Sequence, residues 1–409
     1  MNKIQLQSIR SKITNTLFVT QALFGATQVA AFTVVPILSA QISDSERMTG
    51  IPMTVAFMAR AIFAFPFGWI MDQFGRRYGL IAGYIASITA GVTSFISVIM
   101  NSFPIFCLAS IFAGMARSSS EQARFIAAEI YPEEERPKIL SKIVSAGTFS
   151  AIGGALMVTP SGIFIAQYGY PPMAGPFLIG AVLSLFCVVF ASVLVRPDPL
   201  TLSQQLKQDV FDKNIKSRRL AIILRNKHVK HGIISMVFGQ FVMTLLMVIT
   251  PLHMDYHAHS TWSISWVIMG HALGMFGISG ITGRLIQLYG QKLVILIGML
   301  ILLISCLIVP VSPKFLPLAL ALFLLGVGWN FCFIGGSSLL SSTLLPIERG
   351  RIQGINETFI ALAASLASLT TGYLFDLGGI TLLAVIGILS SLTLGIKCFF
   401  YNINQIEKI

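Results

Sequence analysis

Apolar residues fall along this chain in twelve runs of about twenty, bounded by short polar connections. About twenty residues is what an α-helix needs to cross a ~30 Å hydrocarbon layer at 1.5 Å per residue. In lipid every backbone polar group must pair within its own segment, so such runs predict helices. The expected spans are 14–40, 48–71, 79–100, 103–129, 140–166, 173–195, 231–254, 262–286, 292–311, 315–342, 352–376 and 379–401. The longest polar segment, 196–230, divides them into two sets of six. The fold class expected is an all-α membrane protein of twelve transmembrane helices. Its parts are an N-terminal six-helix bundle (1–195), a linker (196–230) and a C-terminal six-helix bundle (231–409).

Composition agrees with this picture. Of 409 residues, 55% are hydrophobic and only 11% charged, whereas a soluble surface of this size calls for about 25% charged. The net charge of +12 does not indicate nucleic-acid binding, because the basic residues sit in short loops rather than on one soluble face. Those on one side are Lys3, Arg10, Lys12, Arg76, Arg77, Arg136, Lys138, Lys142, the cluster in 196–230, Lys292, Arg349, Arg351 and Lys408. Only Arg47 and Lys314 lie on the other. The positive-inside rule then places both termini and the linker in the cytoplasm, with the chain in the cell inner membrane. The first run is too long for a signal-peptide core and is expected to stay as a helix. The 5 cysteines, scattered in or beside apolar runs, form no disulfide framework.

The two halves repeat. After the second span stands Gly68-Trp69-Ile70-Met71-Asp72-Gln73-Phe74-Gly75-Arg76-Arg77, and after the eighth Gly283-Arg284-Leu285-Ile286-Gln287-Leu288-Tyr289-Gly290-Gln291-Lys292. The glycines and the last base align without a gap. Internal symmetry of this kind is a mark of secondary transporters and predicts two pseudo-symmetric bundles. The first copy resembles the signature of the major facilitator superfamily, Gly-x-Leu-x-Asp-Arg-x-Gly-Arg-Arg/Lys, with Ile70 for Leu and Gln73 for Arg. The resemblance covers the whole chain. It implies a cytoplasmic gate built from Gly68, Asp72, Gly75, Arg76, Arg77 and Glu129. Gly68 and Gly75 would allow a tight turn and close helix approach. Asp72 would meet the positive end of the eleventh span near Gly354 to Thr358, and the arginines would pair with Glu129. The fifth span lacks the Gly-Pro pattern of proton-driven drug antiporters: Gly147, Gly153 and Gly154 are present, but Pro160 is displaced.

Two pairs of side chains suggest a cargo. Met243 and Met247 in the seventh span, and His271 and Met275 in the eighth, each share a helical face by their i, i+4 spacing. Thioethers favour Cu(I), imidazole also binds copper, and no carboxylate within either pair invites a hard cation. Methionine is common in membrane helices, so ordinary packing is the competing explanation. The pattern resembles that of the CcoA-type bacterial copper importers, a branch with Met-x3-Met and His-x3-Met at these places. That resemblance implies import of copper, as transported substrate rather than cofactor, by a monomer that hands it to a cytoplasmic copper acceptor. Riboflavin transporters are relatives of the same branch, so the four residues can mark the branch rather than the cargo.

A second cluster, His253, Met254, His257 and His259, closes the seventh span and suggests metal capture at the outer mouth, or else a solvated helix end. Charges inside the spans point elsewhere. Arg60 lies midway along the second span, and Arg117, Glu121 and Arg124 share one face of the fourth. Ionisable groups at that depth are costly and usually functional. Glu121 can pair with Arg117 or Arg124 or carry a coupling proton, and the arginines fit an anionic or polar organic solute better than bare Cu(I). Riboflavin or another small organic solute is therefore the alternative substrate, and a non-transporting metal receptor is the third reading. No phosphate-binding loop, nucleophile elbow or zinc-protease motif is present, so no enzyme is expected.

Overall fold

The structure, a computed structural model, describes residues 3–132, 135–207 and 218–399. Lys213, Lys216 and Lys408 lie outside the described residues. All of its regular structure is helical: α1 (Lys3–Ser43), α2 (Ile51–Phe74), α3 (Arg76–Ile99), α4 (Phe103–Ser120), α5 (Ala123–Glu129), α6 (Arg136–Ala166), α7 (Gly175–Leu194), α8 (Pro199–Lys207), α9 (Leu220–Arg225), α10 (Lys227–Tyr256), α11 (Thr261–Phe276), α12 (Ser279–Ile308), α13 (Phe315–Thr343) and α14 (Pro346–Phe399).

Among the described residues 9 helical stretches are long and apolar enough to cross a membrane. Two of them are double. The stretch Ile352–Ile396 has 45 residues, more than twice what one crossing needs. It turns back at Gly378 and Gly379, where Gly379 has φ 61°. The 48-residue stretch Thr261–Ile308 holds the eighth and ninth spans. The fourth span, α4 with α5, carries too many polar groups near its break to count as one apolar run. The twelve spans are thereby accounted for.

The repeat seen in the sequence is also a repeat of backbone. Gly75 has φ 109°, ψ 154° and ends α2; Gly290, its aligned partner, has φ 81°, ψ 164° and divides the eighth span from the ninth. Only glycine adopts this region cheaply, so both halves use the same residue for the same turn.

The chain divides into two compact units, Met1–Ser45 with Ile51–Lys213, and Glu46–Gly50 with Asn214–Ile409. In the first, α1 packs on α6 and α7, α3 on α4 and α7, and α2 on α4. In the second, α13 is central, packing on α10, α11 and α12. The expected polar linker contains two short helices, α8 and α9. Leu202 of α8 is buried in the core of the first unit, and Ile223 of α9 in that of the second. Their apolar faces explain why these short helices dock.

Two expected spans are broken, each where a side-chain amide from another helix meets the break. In the fourth, Gln21 of α1 donates to the Ser120 carbonyl and accepts from the Ser120 hydroxyl at 2.8 Å. In the eighth, Asn330 of α13 donates to the Met275 carbonyl at 2.6 Å and to Ser279 Oγ at 3.0 Å, and accepts from Thr282 at 2.5 Å. A side chain inserted into the backbone ladder is a known cause of such breaks.

Candidate functional site

The first unit holds a cluster of charge beside a cavity. Gly114 of α4 faces α2 so closely that a Cβ there would lie 2.2 Å from the Ala56 carbonyl oxygen and 2.9 Å from the Arg60 nitrogen. That approach lets Arg60 reach across to α4's end, where its Nε donates to Glu121 Oε2 at 2.7 Å. Arg117, one turn before Glu121, donates from Nε to Oε1 at 3.0 Å. One carboxylate thus serves two guanidinium groups. Arg124 sets its guanidinium over the Phe125 ring, 4.8 Å from the centroid. Arg117 is one of the two partners, with Arg124, that the sequence offered Glu121; Arg60 was not among them, although it needed a carboxylate at its depth.

Arg117 also lines a cavity whose walls come from α1, α2, α3, α4 and α7. Its walls include Phe32, Phe57, Phe106 and Phe177, with Gln28 among the polar groups. Phe106 and Phe177 meet edge to face at 5.9 Å, and the Arg117 guanidinium lies 5.8 Å from the Phe32 centroid. The cavity thus sets four phenylalanine rings and one guanidinium among small and aliphatic side chains.

The signature segment forms a compact ionic corner. Arg76 donates to Asp72 and, as a fork, to Glu129 Oε1 at 2.9 Å and Oε2 at 3.2 Å. Arg77 sets its guanidinium over the Tyr78 ring at 4.8 Å. Sequence reasoning missed Asp198. Its carboxylate accepts from the N–H groups of Arg76 and Arg77, both at 3.1 Å, and of Leu200 at 2.9 Å. It so caps α3 and α8 together. Gly75 makes room for it, since a Cβ there would lie 2.5 Å from Asp198 Oδ2. At Gly68 the expected close approach is not found: a Cβ would meet nothing within 4 Å, because that face of α2 is open.

In the second unit the methionine and histidine pairs sit on α10 and α11, which both pack on α13. Met243 and His271 are buried, Met247 and Met275 half-buried. His271 Nδ1 lies 2.9 Å from the Leu322 carbonyl oxygen. A carbonyl only accepts, so Nδ1 carries the proton and Nε2 keeps its lone pair. Nε2 is buried without a hydrogen-bond partner. Beside Met243 on α10, Gln240 donates to Thr244 at 3.0 Å and accepts from Trp329 Nε1 at 3.0 Å. The described residues contain no group of three or more His, Cys, Asp or Glu able to hold a metal ion. Of the outer cluster, His253 and His257 come together with ring centroids 4.5 Å apart. Met254 turns into the core, 0% exposed, and His259 Nε2 donates to the Pro313 carbonyl at 2.7 Å.

One buried carboxylate outside the spans was also missed. Glu348 accepts from Arg218 Nε at 2.9 Å and Nη2 at 2.7 Å, from the Arg218 N–H at 2.9 Å and from the Leu345 N–H at 3.2 Å. The Arg218 guanidinium, against the cost of burial, and those two N–H groups hold its carboxyl down at about 2. An unfolded glutamate titrates near about 4.3. The stabilisation is then complete above that value and is lost as pH falls from about 4.3 toward about 2. Thermal melts of wild type and Glu348→Gln should differ most above pH 5, and the two curves should converge on acidification.

Comparison with known proteins matches the family model "Major Facilitator Superfamily" over residues 17–280 and 232–407. The chain is 28% identical over 385 residues to the uncharacterized MFS-type transporter YddS of Bacillus subtilis, covering 92% of this chain and 88% of that one. It is 27% identical over 363 residues to the riboflavin transporter RfnT of Brucella anthropi, covering 89% of each. Among solved structures, the D-xylose-proton symporter superposes with a TM-score of 0.72 at 16% identity, over 94% of this chain and 96% of that one. The last likeness is one of fold. The chain thus belongs to the Major Facilitator Superfamily and is a multi-pass membrane transporter, not an enzyme.

Proposed function

We propose that the protein carries a planar, hydrogen-bonding organic solute, with riboflavin the first candidate, by alternating access in the cytoplasmic membrane. The observation that carries this reading is the cavity walled by Phe32, Phe57, Phe106 and Phe177 and edged by Arg117. Aromatic walls suit a flat ring system, which they meet face or edge on. A guanidinium offers a fixed fork of donors to carbonyl or anionic oxygens. Bare Cu(I) would gain nothing from either and would be repelled by Arg117. Likeness to a riboflavin transporter over most of both chains supports the same choice. Both termini and the linker would face the cytoplasm, as the basic loops require. The Asp72, Arg76 and Glu129 corner would serve as the gate on that side. Rocking of the two bundles about a midplane site is the family's general mode of transport.

Copper import is the second reading, kept because of one feature. The lone pair of His271 Nε2 is buried and without a partner, as a metal-ligating imidazole requires. Uptake of labelled riboflavin and of labelled copper in cells expressing the protein separates the two. Riboflavin uptake above the vector control, unchanged in a Met243→Ala, His271→Ala double variant, is expected. Copper uptake that the double variant abolishes, with no riboflavin uptake, would replace this reading by the other.

A further inference from the structure

We infer that His253 and His257 form an exchangeable two-nitrogen site for a late first-row transition-metal ion, copper or zinc, at the end of α10. This site is independent of the solute carried. The two residues are four apart near the helix C-terminus, so their side chains leave the same face. Their ring centroids are 4.5 Å apart and their planes are inclined by 55°. The rings are thus tilted together, not stacked. His257 Nδ1 lies 2.8 Å from the His253 carbonyl oxygen. The carbonyl can only accept, so Nδ1 carries the proton and Nε2 keeps its lone pair. A ligating histidine is usually held this way, by a hydrogen bond from its other nitrogen to a carbonyl. His253 is recessed, 9% exposed, with its ring edge-on to Phe375 at 6.2 Å. No hydrogen bond reaches its ring among the described residues. His257 is exposed, which gives an ion a way in from solvent.

The ligand type decides the ion. Two neutral imidazoles suit copper or zinc and offer nothing to magnesium or calcium, which want oxygen. Met254 points into the core, and His259 is drawn through Nε2 to the Pro313 carbonyl, whereas the rings that meet are those of His253 and His257. Water would fill the remaining positions, so the ion should exchange readily, unlike one in a closed four-ligand structural site.

Purified protein without a histidine tag, titrated calorimetrically with Zn²⁺, Cu²⁺ and Mg²⁺, tests this. One equivalent of Cu²⁺ and of Zn²⁺ should bind, Cu²⁺ more tightly, and Mg²⁺ should give no heat of binding. His257→Ala, a change at an exposed position, should weaken both ions about tenfold or more, and His253→Asn should do the same. Zn²⁺ and Cu²⁺ affinities that survive both changes, or binding of Mg²⁺ at equal strength, would overturn the assignment.

Discussion

Replacing Arg117 by alanine should lower riboflavin uptake more than tenfold while leaving the protein folded. Glu121 keeps its 2.7 Å partner Arg60 in that variant, so no carboxylate is stranded. What disappears is the guanidinium at the cavity's edge. A loss of tenfold corresponds to about 1.4 kcal/mol, within what a hydrogen bond to a charged group contributes. Arg117→Lys keeps the charge but not the fork, so it should fall between. Glu121→Ala should do more harm than either. It leaves both Arg60 and Arg117 without their shared carboxylate in a half-buried site, where an uncompensated charge is costly. Uptake by each variant, normalised to protein level, checks the order. Full activity in Arg117→Ala would place the solute elsewhere.

Gly326→Leu should prevent accumulation of folded protein. Gly326 of α13 packs against α11 so tightly that a Cβ would lie 2.2 Å from the His271 carbonyl oxygen and 3.0 Å from the Met275 nitrogen. Gly274 on α11 returns the contact, with a Cβ position 2.5 Å from the Phe323 carbonyl oxygen. Both obstacles are backbone, so no rotamer change relieves them and the helices must part. Overpacking of this kind costs about 3 kcal/mol at the upper end of its usual range. The same parting would break the His271 to Leu322 bond and pull Asn330 from Met275. Fluorescence-detected size-exclusion chromatography should show loss of the monodisperse peak. Gly326→Ala should show a smaller loss, and a leucine variant with a wild-type profile would contradict the packing described.

The twelve crossings were legible because each rests on a local property, about twenty apolar residues between polar loops. The Gly75 and Gly290 turns were legible because the repeat aligned them. The breaks in the fourth and eighth spans were not. They depend on Gln21 and Asn330, which meet their targets 99 and 55 residues away in sequence. Asp198 and Glu348 were hidden for a similar reason. Each sits in or next to a polar loop, where a carboxylate is ordinary until the backbone N–H groups it caps are known. Arg60, Arg117 and Glu121 stood out by their depth in apolar runs, and only the pairing of Arg60 with Glu121 required the fold. For the methionine and histidine set, spacing placed each pair on one face but said nothing of what that face meets.

The most direct test of the account is binding of riboflavin to purified protein, followed by quenching of flavin fluorescence, in wild type and in Ala113→Phe. Ala113 lines the aromatic cavity, and a phenyl group there would fill it. The account predicts saturable quenching in wild type and its loss in a folded Ala113→Phe protein. Equal binding by the two would contradict the claim that this cavity is the solute site.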